Sequence, residues 1–385
     1  MKLGTLLMQT DGYGAAQTIR SFGRGRELAS QLGQIDVIVL ACAGLGATLW
    51  AEGRFHDMIE MQGRFEADEL ARLQPMSRVF RSVVLGLAEF HLGHIDAAWQ
   101  HTRDAAHELA PIEGAARQDI GGVDPAVIVL AQTISICVHR GLLDTADACT
   151  AQVLVIAERR GHEPTRAWAL SLERWRAFRR GDVAESARLA RESLLLSERL
   201  GFQTRIATGR LMLGRALVAA GQLDEGRRLL SEGFAQWTAS GSVATGSEYA
   251  SQAAEVLLDA GFADEAAEFV RAGEKVQRDS EERFFEAELL RQRGRLAELG
   301  VALEDADDGA SSARARAEQH YRKAIDVAEA QGATLFALRA AIELARLMRA
   351  GGLGSEGAAV LRPLHARFTE GFDYPELVAA RELLG

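Results

Sequence analysis

A glycine-marked turn returns along this chain at a nearly fixed interval. It occurs at Gly53, Gly93, Gly141, Gly181, Gly221 and Gly261, with gaps of 40, 48, 40, 40 and 40 residues. A further turn, at Gly351, lies 90 residues beyond Gly261. An apolar helical run precedes each of these glycines and an Ala-rich one follows the earlier turns. A repeat of this length calls for a stack of helix hairpins, because one hairpin cannot bury its apolar face alone and its neighbours complete the core. The expected fold is all-α: a right-handed α-solenoid of eight or nine antiparallel hairpins. Arrays of this kind present surfaces for binding more often than they do chemistry.

The local residues agree with that reading. A glycine ends the first helix of each pair in a left-handed conformation that is costly for residues with a side chain. Asp96, Asp144, Asp182, Asp224 and Asp264 then sit at the start of the second helix, against the positive end of its dipole. Small residues follow, among them Ala98, Ala146, Ala187, Gly226 and Ala267, and permit close approach of the pair. Periodicity predicts eighteen helices, including single helices over 55–72 and 281–299. Two segments break the period: a loop at 111–123 and an acidic linker at 300–311. The expected organisation is an array over 1–299, the linker within it, and the last repeats with a capping helix over 312–385. The apolar MKLGTLLM segment is expected to cap the first helix pair or to self-associate.

Composition narrows the function. A net charge of −10 argues against general nucleic-acid binding, which needs a concentrated positive face. Cys42, Cys137 and Cys149 are widely spaced, with no Cys-x-x-Cys pair for zinc or redox work. With no signal peptide and no apolar run of about 18 residues, the expectation is a cytoplasmic protein without a membrane span.

Individual hairpins carry a family likeness. RLMLGRALVAAGQLDEGRRLLSEGF, around Gly214 and Gly221, resembles a tetratricopeptide repeat in its spacing of small Gly214 and Gly226 and large Leu213 and Leu217. More specifically, the chain resembles the C-terminal repeat region of bacterial proteins that join a nucleotide-cyclase-like domain, an AAA-type ATPase and a tetratricopeptide array. The segments that carry this are DGYGAAQTIRSFGRGRELASQLG, GGVDPAVIVLAQ, ERFFEAELLRQRGRL and FTEGFDYPELVAARELL. The chain is similar, more distantly, to the sensor arrays of maltose-regulator-like transcription factors. The catalytic modules do not carry over: there is no G-x-x-x-x-G-K-[ST] loop and no strand-rich domain to hold a cyclase's metal-binding Asp pair. The chain therefore reads as the array alone, whether a fragment or a stand-alone protein with separate partners.

Candidate sites follow from the groove that first helices line in such arrays. Arg174, Arg210 and Arg215 are placed to meet a carboxylate or acidic peptide there, with Glu248 and Glu255 as acidic counterparts further along. The bland alternative is a solvated charged face with i, i+4 partners. Trp168, Leu172 and Trp175 share one helix face with Phe178 nearby, as core or as a recognition patch. His91, His94, His101 and His107 invite a metal reading, but the two on one helix, His101 and His107, are six apart and point to different faces. No nucleophile or acid–base constellation emerges, so no catalytic residue, metal or cofactor is assigned. The expected function is a non-catalytic protein–protein interaction or regulatory scaffold in bacterial signalling, holding a partner's peptide or helix in the groove. That partner could be an ATPase or cyclase module. The alternatives are a small-molecule-sensing array that controls such a partner or a transcription regulator, and an enzyme built on a repeat scaffold.

Overall fold

The computed structural model describes residues 3, 4, 7, 15–112, 123–201, 203–301, 303 and 312–385. The first helices are α1 (Ala16–Gln31), α2 (Ile35–Ala51), α3 (Phe55–Gly63) and the short α4 (Ala67–Ala71). Regular hairpins follow: α5 (Pro75–His91) with α6 (Ile95–Leu109), α7 (Pro125–Arg140) with α8 (Leu143–Arg160), and α9 (Glu163–Arg179) with α10 (Val183–Leu200). The next are α11 (Gln203–Ala219) with α12 (Leu223–Ala239), and α13 (Gly246–Asp259) with α14 (Ala263–Asp279). The last are α15 (Glu286–Glu298) with α16 (Ala313–Gln331) and α17 (Thr334–Ala350) with α18 (Gly354–His365), closed by α19 (Pro375–Leu384). Among the described residues there is no β-strand, and no helix is long and apolar enough to cross a membrane. The fold is an α-solenoid of antiparallel hairpins. Most of the N-terminal MKLGTLLM segment, of the 111–123 loop and of the 300–311 linker lies outside the described residues.

The repeat glycines do what the turns require. Gly53, Gly93, Gly141, Gly181, Gly221 and Gly261 all have φ between 72° and 85°. The last hairpin differs from expectation: Gly351 has φ −96° and Gly352 takes the left-handed position at 81°. Gly351 is small for another reason, since the Arg314 guanidinium lies where its Cβ would be. Within the α11–α12 hairpin, a Cβ on Gly214 would sit 2.7 Å from the Gly226 carbonyl oxygen and 2.8 Å from the Leu230 nitrogen. Those helices touch backbone to backbone.

Two expected helices change shape. The one predicted over 55–72 breaks after Gly63, and α4 restarts where the Glu66 N–H donates to Glu69 Oε2 at 2.9 Å. The one predicted from 281 begins only at Glu286, because the preceding backbone is bonded elsewhere. Arg283 N–H donates to the His91 carbonyl at 2.7 Å, and Phe284 N–H donates to the same carbonyl at 3.3 Å.

Those bonds belong to a larger closure, in which turns of early hairpins dock on loops of late ones. Val243 N–H donates to the Ala51 carbonyl at 2.8 Å. Glu281 caps the start of α3, accepting from His56 N–H at 2.8 Å across 225 residues. Glu370 caps the start of α8 in the same way, accepting from Thr145 N–H at 2.8 Å, also across 225 residues. Phe368 packs on Gly141, Gly371 N–H donates to Asp144 Oδ2 at 2.9 Å, and the Tyr374 hydroxyl donates to Asp147 at 2.7 Å. Helix ends carry unsatisfied N–H groups, and here distant carboxylates satisfy them.

Candidate functional site

The closure borders a partly open cavity of about 440 Å³. First helices of six consecutive hairpins (α7, α9, α11, α13, α15 and α17) contribute to its wall, and Tyr374, Pro375 and Glu376 cover one side. This is the arrangement that repeat proteins use to present a concave binding surface.

One wall is an ion-pair network built on Arg291, whose side chain is 2% exposed. Its Nε donates to Glu288 Oε1 at 3.1 Å and its Nη2 to Glu288 Oε2 at 2.9 Å, and Nη2 also contacts Glu255. Arg339 reaches across from α17, donating to Glu288 Oε2 at 2.7 Å and to Glu255 Oε1 at 3.0 Å. Arg295 pairs with Asp259 at 2.8 Å. Burial alone would raise the Glu255 carboxyl, but Arg291, Arg339 and Arg295 together hold it well below the usual carboxylate range. Glu255 and Glu288 likewise hold Arg291 above the usual range against burial. Charges this deep are tolerated because each has partners.

A second charged group, around Arg215, is sparsely paired. Arg215, 9% exposed, donates to Gln252 Oε1 at 3.0 Å and lies 3.6 Å from the centre of the Phe178 ring. Burial, with the like charges of Arg174 and Arg339, lowers it to about 9. Arg174 is lowered to about 10 by burial. Glu248, which accepts from Gln252 Nε2 at 2.7 Å, is pushed up to about 7 by burial and by Glu282. Arg179 lies 4.6 Å from the Trp175 ring centre and 5.9 Å from that of Tyr374.

Of the five residues singled out from sequence, Arg215 and Glu255 line the cavity, and Arg174 and Glu248 are their electrostatic neighbours. Arg210 is not part of this group; it donates to Gln236 on α12 at 2.8 Å. The aromatic stripe divides: Leu172 is core, Trp175 and Phe178 line the cavity, and Arg205 stacks on Trp168 at 4.8 Å. Sequence reasoning passed over Glu288, Arg291 and Arg339. The available signal was a charged residue inside an otherwise apolar helix, as in ALRAAIELA.

The four histidines do not converge. His91 is buried against Phe55 and Phe284, with Nδ1 at 2.8 Å from the Leu87 carbonyl and Nε2 accepting from the Trp50 indole at 3.1 Å. His94 pairs with Glu89. Among the described residues, no three His, Cys, Asp or Glu side chains group as metal ligands. His139, on the cavity wall, packs against Phe90 and Phe336 and, like His91, is lowered to about 4 by burial. Burial pushes the Cys137 thiol up to about 12, which leaves it unreactive.

No protein-family model matches the sequence. No curated protein matches it either. Solved structures do match its shape. A Rap protein complexed with Competence and Sporulation Factor is similar with a TM-score of 0.69 at 14% identity, over 95% of this chain and 96% of that one. Aspartyl phosphate phosphatase F from Bacillus subtilis is similar with a TM-score of 0.50 at 13% identity, over 91% and 90%. At these identities the likeness is one of fold, and the fold is tetratricopeptide-like.

Proposed function

We propose that this chain is a regulatory binding scaffold that holds a segment of a partner protein in the central cavity. The observation that carries the reading is the cavity itself. Six successive hairpins build it, the closure between early and late repeats seals one side, and its walls mix aromatic rings with buried charge. A similar fold was crystallised with Competence and Sporulation Factor, which is consistent with a bound-factor role. The resemblance to cyclase–ATPase repeat regions makes a bacterial signalling ATPase or cyclase module the first partner to seek.

The test is a pull-down of the tagged chain from native lysate, with stoichiometry read by mass spectrometry. An Ala219→Trp variant runs beside it, because Ala219 is an exposed residue on the cavity wall and the larger ring would obstruct it. A stoichiometric partner captured by the parent chain and lost by the variant supports the proposal. Equal capture by both removes the cavity as the binding site.

A second reading has one observation in its favour. At about 440 Å³ the cavity falls within the range of about 300–1,000 Å³ typical of small-molecule sites. A metabolite that raises the melting midpoint of the parent chain but not of Ala219→Trp, with no protein partner captured, would favour sensing over scaffolding.

A further inference from the structure

Building on the reading of the cavity as the binding site, we propose that it recognises a carboxylate, gripped by Arg179 beside an aromatic shelf of Trp175 and Phe178. The argument starts from which charges in the cavity already have partners. Glu255 and Glu288 are held by Arg291 and Arg339, and Asp259 by Arg295. Glu376 has Arg339 at 3.8 Å. Glu255, Glu288 and Asp259 are therefore answered by arginines at hydrogen-bond range, and Glu376 only at longer range.

The cations are not all answered. Nε, Nη1 and Nη2 of Arg179 are buried without a hydrogen-bond partner, and the side chain is 11% exposed. The nearest carboxylate oxygen, Asp147 Oδ1, is 3.8 Å away and already accepts from the Tyr374 hydroxyl at 2.7 Å. The other Asp147 oxygen accepts from Arg180 Nε at 2.7 Å. Nε of Arg215 is likewise buried and unpartnered. A buried guanidinium with unused donors is costly, and native structures rarely leave one without a partner. The rings of Trp175 and Tyr374 hold this guanidinium in place before any ligand arrives, and a planar fork of donors suits a carboxylate's two oxygens.

The surroundings narrow the ligand further. Among the described lining arginines, Arg179 is the one with all three nitrogens unpartnered, and one guanidinium fork matches one carboxylate. Trp175, Phe178, Val183 and Leu335 offer apolar surface beside the cations. The ligand is an amphipathic monocarboxylate: the end of a peptide with an apolar terminal residue, or a small organic acid of the same character.

The experiment is isothermal titration of the full chain with three probes. Two are pools of N-acetylated tetrapeptides ending in phenylalanine, one as free acids and one as C-terminal amides; the third is 3-phenylpropionate. The acids are expected to bind at least about tenfold more tightly than the amides, the scale of a charge-assisted bidentate pair. Arg179→Gln should abolish that preference, and Arg179→Lys, which keeps the charge but loses the fork, should fall between. Phenylpropionate binding as tightly as the acid peptides identifies a small acid as the source; much weaker binding identifies a peptide end. Equal affinity for acids and amides, both blocked by Ala219→Trp, overturns carboxylate recognition while leaving the cavity as the site. An acid preference that survives both Arg179→Gln and Ala219→Trp overturns both readings. No binding of any probe at millimolar concentration overturns carboxylate recognition without needing a variant that folds.

Discussion

Single residues in this molecule carry tension that solution measurements can read. His139 is an imidazole among rings, lowered by burial to about 4 from an ordinary value near 6.5. Between those values the unfolded chain takes up a proton that the folded chain refuses, so stability is lost as pH falls through that window. For each of His91 and His139 the loss reaches about 3 kcal/mol by pH 4. Glu248 and Glu282, raised to about 7, act in the opposite sense, because the folded chain keeps protons that the unfolded one releases. Comparing His139→Phe with the parent chain isolates the histidine. The variant's urea midpoint should fall less between pH 6.5 and 4, and parallel slopes would remove the idea. Gly214→Ala tests backbone contact between α11 and α12: its Cβ would meet main-chain atoms that cannot swing away, for a loss of about 1–3 kcal/mol in urea unfolding. Some of the site was legible at this scale. Arg215 and Glu255 lie in apolar first helices, and the groove rule pointed to them. Arg210 lies apart from this group because five residues place it about 140° around the helix from Arg215, toward α12. Nothing near Arg179 in the sequence singles it out, because the Tyr374 ring that pins it comes from the far end of the chain.

Elements were legible wherever their causes are local. Glycine turns, first-turn acids and apolar periodicity give nearly every hairpin within a few residues of its observed span. The late start of α15 has a remote cause, the bonds of residues 283 and 284 to His91, and no pattern near 281 announces it. The ion-pair wall is likewise made by α13, α15 and α17 together, so it appears only once they are packed. Arg291→Met should cost about 3–5 kcal/mol, because Glu255 and Glu288 then remain buried with fewer partners. Adding Glu288→Gln should recover part of that loss in a double-mutant cycle of urea unfolding. Strict additivity of the two changes would show that the pair does not act as a unit.

Across the whole molecule, the closure sets this array apart from an open solenoid, in which each repeat meets only its neighbours. Glu370→Ala and Glu281→Ala each remove a carboxylate from a helix start and should cost about 1 kcal/mol. Hydrogen exchange offers the sharper test. Glu370→Ala should speed exchange at residues 144–147 and 371–374 and leave α11 and α12 unchanged. Unchanged rates at the closure would show that it adds no local stability. The repeat period in the sequence says nothing of this, because the meeting of early and late turns depends on how far each hairpin rotates from the last. Its consequence is numerical. Both remote caps span 225 residues. Inserting or deleting one hairpin between the partners would carry Glu281 and Glu370 past the helices they cap and reopen the cavity. An open array can gain or lose repeats by duplication; here the number of repeats is as much a part of the fold as the strand number is in a closed barrel.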